Sequence, residues 1–165
     1  MPFTPFHLGP GLLIAMVFVP EICVVALLIG SVAPDIEPLA IVLMGLDTPL
    51  HGFLHTYLGA SLLGVAVAGI IWPLRSAIAP LEKVFASSGS YSFRAVLLSA
   101  LAGTYSHVFL DSFLYPEMFP FFPVAGNPFL GMLPTPLAYE ICVVLGVIGL
   151  VVWFGRLSLS KDSET

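Results

Sequence analysis

The chain has 165 residues, 58% of them hydrophobic and only 9% charged, with a formal net charge of −5 and a mean hydropathy of +1.04. A water-soluble domain of this size carries about a quarter charged residues, so this chain cannot cover its own surface with polar groups and lipid must be part of its solvent. Five basic residues in all make no phosphate-binding patch, which excludes nucleic acid as a partner. No Lys or Arg precedes Arg75, which excludes an ordinary secretory signal peptide, since its apolar stretch follows a positive segment.

The length suits one membrane-embedded helical domain, residues 1–156, with a polar tail over 157–165. Residues 8–33 are apolar but interrupted by Val19-Pro20-Glu21, and a proline is costly inside a helix. The interruption predicts a helical hairpin over 8–32, Leu8–Val19 and Pro20–Val32, each arm reaching about 18 Å at 1.5 Å per residue and too short to cross a bilayer. Pro34-Asp35-Ile36-Glu37-Pro38 makes a rigid polar corner, and a short helix is expected over 38–45. Three spans follow, each punctuated at both ends. The first covers about 49–72, capped by Thr48 and followed by Pro73; the second covers about 93–115, capped by Ser92 and stopped before Pro116; the third covers about 136–154, capped by Thr135 and closed by Gly155. The fold class is thus an all-α integral membrane protein. Ala60 and Gly64 on the first span, and Ala95, Ser99 and Gly103 on the second, predict close packing of these two helices, because small residues let backbones approach in lipid. Cys23 and Cys142 lie in apolar runs without CxxC spacing and read as packing residues.

Arg75, Lys83 and Arg94 flank the connection between the first two spans, and Arg156 and Lys161 follow the third. All five basic residues therefore share one face, which the positive-inside rule makes cytoplasmic, with the C-terminus on that side. Glu21, Glu82, Asp162 and Glu164 read as ordinary charges of that face, and Glu117 as a solvated group of the other.

Every histidine falls toward the opposite, extracytoplasmic face. His51 and His55 stand at the start of the first span, and His107 and Asp111 near the end of the second. Members of each pair are four apart and so share a helix face. The spans are antiparallel, so the pairs meet at one depth. A hairpin would bring His7 and Asp35 to the same side, and Glu37, Asp47 and Glu140 are further acids there. Ionisable groups in lipid are costly and mark function; imidazole with carboxylate suits a divalent metal, Zn²⁺ or another transition ion. The chain lacks HExxH and GxSxG and has no serine placed as an activated nucleophile.

Met1-Pro-Phe-Thr-Pro-Phe-His7, Ala33-Pro-Asp35-Ile-Glu37-Pro, His51-Gly-Phe-Leu-His55-Thr and Ser106-His107-Val-Phe-Leu-Asp111-Ser112 follow one another in order, and a tract from Tyr115 to Asn127 joins them. This ordered set resembles the small prokaryotic membrane proteins of the YdjM type, described as membrane-bound metal-dependent hydrolases. The resemblance implies metal ligands at His7, Asp35, His55, His107 and Asp111, with His51 and Glu37 as further candidates. Many relatives carry His-Arg where this chain has His51-Gly52. A more distant likeness is to the zinc-dependent phospholipase C and P1 nuclease group, by which Asp111 would bridge two ions. That group's later histidines are missing, as no His follows His107, so one or two ions are expected.

The leading expectation is a hydrolase of a phosphoester or lipid-linked ester at the extracytoplasmic surface of the prokaryotic inner membrane, with Glu37, His51 or Glu140 as the base and membrane lipids as partners. A non-enzymatic metal- or haem-binding subunit is the alternative. Transport fits poorly, because the inner halves of the three spans lack ionisable residues to continue a path.

Overall fold

A computed structural model describes residues 5–87 and 89–162. The motif residues Met1–Thr4 and the tail residue Glu164 lie outside the described residues. Six α-helices run α1 (Pro5–Phe18), α2 (Val24–Gly30), α3 (Ile36–Met44), α4 (Tyr57–Val84), α5 (Phe93–Ser112) and α6 (Thr135–Asp162), with 3₁₀ turns at Ala33–Asp35 and Phe53–His55. Among the described residues there is no strand. Helices α4, α5 and α6 are each long and apolar enough to cross a membrane; α2 and the Ala33–Met44 segment form a bent pair, with 40° between them.

The hairpin is present as α1 and α2. Its turn holds a cis Val19–Pro20 bond, and α2 begins at Val24, not at Pro20. The reason lies far along the chain. Glu82 accepts from the amides of Val24 (3.2 Å) and Val25 (2.8 Å), from the Cys23 thiol (3.1 Å) and from the Tyr91 hydroxyl (2.8 Å). Ser99 Oγ accepts from the Cys23 amide at 2.9 Å. Orphan amides of a helix start need such acceptors when buried. Glu82 is therefore a fully buried capping residue and not the surface charge that its position beside Lys83 suggests.

The first span also differs from expectation. Residues 45–56 are not α-helical; Thr56 is the cap of α4, its side chain accepting from the Gly59 amide at 2.9 Å. The amides of Gly52 and Leu54 both donate to Glu37 Oε2 at 3.1 Å, so they are unavailable to a helix starting at Thr48-Pro49. At the other end α4 continues through Pro73 and Pro80 to Val84. A proline removes one ladder bond, which a packed membrane helix tolerates. Likewise α6 runs past Gly155 to Asp162, making the start of the expected tail helical. Ser92 caps α5 as expected, accepting from the Ala95 amide at 3.2 Å. Gly45, at φ 63°, ends α3 with the left-handed residue that favours glycine.

Helix α1 lies on α6 along a glycine seam: a Cβ at Gly9 would run into the Cys142 carbonyl oxygen, and one at Gly149 would lie 2.9 Å from the Leu13 amide nitrogen. Gly64 of α4 packs on Leu101 of α5. Ser99 and Gly103, however, face α2, where a Cβ on Gly103 would strike the Leu27 carbonyl oxygen. The small residues of α5 thus admit the hairpin arm more than they serve α4. That close approach sets α2 at the depth of His107. Cys23 and Cys142 are both free and buried.

Candidate metal centre

Four side chains from three elements converge: Asp35 from the corner before α3, His55 from the turn before α4, and His107 and Asp111 from adjacent turns of α5. One nitrogen or oxygen atom from each lies within 4.8 Å of the others, a group that could hold a metal ion. His107 Nε2 is 3.2 Å from Asp111 Oδ2 and 3.6 Å from Asp35 Oδ1, while His55 Nε2 is 3.8 Å from Asp111 Oδ2 and 4.0 Å from Asp35 Oδ1. Zinc bonds of about 2.0–2.2 Å in a tetrahedron place ligand atoms roughly 3.4 Å apart, so small shifts would close the set on an ion.

The hydrogen bonds behind these atoms fix which way each ring faces. His107 Nδ1 is 2.8 Å from the Ser31 carbonyl, which can only accept, so Nδ1 carries the proton. His55 Nδ1 donates to Glu37 Oε2 at 3.0 Å. In their neutral forms both rings therefore turn an Nε2 lone pair toward the centre, with the outer nitrogen held by an oxygen as metal-bound imidazoles usually are. Burial pushes the His55 imidazole below its ordinary pKa, against the pull of the Glu37 bond, which favours the neutral form a metal requires.

The inward atoms lack partners. His55 Nε2, His107 Nε2, Asp35 Oδ2 and both Asp111 oxygens are buried without a hydrogen bond, although several lie close together. A buried carboxylate such as that of Asp111, with the half-buried Asp35 beside it, is costly without a cation. Among the described residues their ion-pair partners are all histidines. Both the orphaned atoms and the donor chemistry fit a divalent ion.

His7 stands beside this set. Its Nε2 is 3.2 Å from Asp111 Oδ1, the other face of that carboxylate, and its ring stacks on His107 at 3.9 Å. The remaining candidates are placed differently. His51 is buried in the loop before His55, its Nδ1 2.7 Å from Glu117 Oε1 and its ring stacked on Tyr115 at 3.7 Å. Because residues 45–56 are not α-helical, His51 and His55 do not form the expected helix-face pair, and only His55 joins the cluster. Glu37 stands behind His55, not among the inward atoms. Glu140 is exposed on α6, outside the cluster, and Asp47 is exposed in the loop. Glu117, read from sequence as solvated, is instead tied to His51: burial opposes its charge, but the His51 bond prevails and holds its carboxyl below the usual range. A cavity of about 410 Å³ opens beside these groups, lined by Glu37, His51, Gly52, Glu117, Phe119 and Phe122 among others.

These features define a small multi-pass helical membrane protein with a buried histidine–carboxylate centre near the ends of its spans. A profile of the YdjM inner membrane protein family matches residues 4–160, and the chain belongs to that family. No curated protein and no solved structure matches it.

Proposed function

We propose that the protein is a metal-dependent hydrolase of the inner membrane, acting on a phosphoester or lipid-linked ester at the extracytoplasmic surface. The observation that carries this reading is the convergence of Asp35, His55, His107 and Asp111, five of whose side-chain atoms are buried without a hydrogen bond. Mixed nitrogen and oxygen donors suit Zn²⁺ or another transition ion. When bound, such an ion supplies a water of lowered pKa and a Lewis acid for the ester oxygens. The resemblance to membrane-bound hydrolases and, more distantly, to the phospholipase C and P1 nuclease group supports the same chemistry. His7, with the second oxygen of Asp111, offers the start of a second ion site.

The chain's own residues divide the work. Glu37 positions the His55 ring. His51, oriented by Glu117 and lying against the His55 ring at 4.8 Å, is the group we assign to take up a proton. The oxygen of water joins the ester's phosphorus or carbon, the bond to the leaving oxygen breaks, and that oxygen receives a proton. Neither oxidant nor reductant is needed.

Sidedness follows from charge: Arg75, Lys83, Arg94 and Arg156 sit toward the ends of the spans remote from His55 and Asp111. The positive-inside rule then puts the centre outside. A panel of phosphoester and acyl-ester substrates, assayed on proteoliposomes with zinc and after chelation, tests the reading. Zinc-dependent turnover lost in His107→Ala is expected. A zinc-loaded protein inert across the panel would favour the non-enzymatic metal-binding subunit.

A further inference from the structure

A second and larger concavity, about 580 Å³, lies between α3 and α4. Its walls are Ile29, Val32, Ile36, Leu39, Val42 and, on α4, the stripe Leu63–Ile70, with Asp35 the single ionisable residue among them. This volume is in the range of ligand pockets, which combine apolar walls with few polar groups. Leu63 and Ile70 stand six and thirteen residues into α4, so at 1.5 Å per residue the groove extends from about 9 to about 20 Å beyond the start of that helix. Where α4 crosses a bilayer whose apolar core is about 30 Å thick, a groove at that depth would open onto the hydrocarbon.

Two observations join the groove to the metal centre. Asp35 forms part of its wall, and Oδ1 of the same side chain lies 3.6 Å from His107 Nε2. Oδ2 is buried and unpartnered. Asp35 is also the exposed member of the ligand set, at 18% against 1% or less for the other three. Of the 410 Å³ cavity and this groove, only the groove has a member of the ligand set in its wall, so the centre is approached from the groove past Asp35. A water-soluble ester arriving there would have to leave water for a space walled almost wholly by aliphatic side chains. An acyl chain loses nothing by entering it, since the groove is as apolar as the bilayer.

We infer that the groove between α3 and α4 receives an acyl chain of a membrane lipid, so that the substrate is an acylated lipid whose ester reaches the centre laterally past Asp35. This rests on the hydrolase reading for the word substrate; occupancy of the groove does not.

The test uses the full chain in lipid nanodiscs containing a phosphatidylglycerol with a photoactivatable diazirine in one acyl chain, with labelled residues mapped by peptide mass spectrometry. Labelling at Leu39, Val42, Leu63 and Ala66 several-fold above the exposed α6 residues Val144 and Val151 is expected. Ala66→Trp and Val42→Trp, which fill the groove from opposite walls, should each abolish the excess while leaving zinc content unchanged. In the same variants, turnover of a long-chain lipid ester should fall several-fold more than turnover of a short-chain soluble analogue. Even labelling over α3, α4 and α6 would overturn the proposal, leaving ordinary boundary lipid. So would protein–protein crosslinks joining groove residues of two copies. Groove labelling in a protein with no zinc and no turnover would uphold the acyl site and sink the hydrolase reading alone.

Discussion

Asp111→Asn keeps the shape of a side chain that touches His7, His55 and His107 but removes its charge and one ligand atom. If the centre holds a metal, the folded state binds the ion and the unfolded state does not, so stability rises as RT ln(1 + [L]/Kd), about 4 kcal/mol at a thousandfold excess of free ion over Kd. For a chain of this length about 2–4 °C accompanies each kcal/mol, so zinc should raise the wild-type melting temperature by roughly 8–16 °C over the chelated protein. The variant should lose most of that response. In chelator it should lie close to the wild type or above it, because the mutation removes a buried charge that, among the described residues, faces only histidines. Thermal unfolding in detergent, scanned with buffered zinc and with chelator, reads both numbers. A purely hydrogen-bonded cluster gives the opposite pattern: a loss of about 1–3 kcal/mol in either condition and no zinc response in the wild type. That result, or a variant that keeps the full response, would refute the metal assignment.

Glu37→Gln should weaken zinc binding by about 10- to 100-fold, the usual cost of losing an outer carboxylate on a ligand histidine, with stoichiometry unchanged in a chelator competition. Glu82→Ala should cost about 2–4 kcal/mol in a denaturant titration, because it strands the buried Val24 and Val25 amides; a loss below about 1 kcal/mol would mean that α2 finds another cap. Glu117→Gln should lower stability at pH 7 by about 0.5 kcal/mol, a small figure because the carboxylate is about one-third exposed. Since the folded state holds this carboxyl below 4.5, its contribution is complete above that pH and fades as pH falls through the lower folded value, so wild-type and variant unfolding curves should converge in acid.

Histidine and aspartate are rare enough in so apolar a chain that His7, Asp35, His55, His107 and Asp111 could be singled out before any coordinates. Convergence of the α5 pair was equally legible, because four-residue spacing on a helix leaves little freedom. The route of His55 was not. Thr48-Pro49 and Thr56 offer competing helix starts, and the choice is made by Glu37, whose carboxylate claims the Gly52 and Leu54 amides from fifteen and seventeen residues away. Glu82 misleads for the same reason: beside Lys83 it looks solvated, and its partners Val24 and Val25 lie nearly sixty residues back. The glycine seam of α1 and α6 was hidden because Gly9 says nothing of Cys142 until the two helices meet. Local punctuation therefore located the spans, while acceptors distant in sequence decided where helices begin.

Those distant acceptors also explain how so short and apolar a chain holds a polar centre together. Helix α2 spans only Val24–Gly30, too little to hold itself. Its first amides are tied by Glu82, its flank is pressed on Ala100 and Gly103 of α5, and past its last turn Ser31 offers the carbonyl that orients His107. The strand of contacts from α4 through α2 to α5 fixes His107 independently of Glu37, which fixes His55 from α3. Each ring is thus set by its own oxygen from a separate element, and the two Nε2 lone pairs are aimed without either histidine depending on the other. Such prior aiming is what allows a site to bind an ion without the protein reorganising around it, and it is the strongest physical reason to regard the cluster as built for a metal.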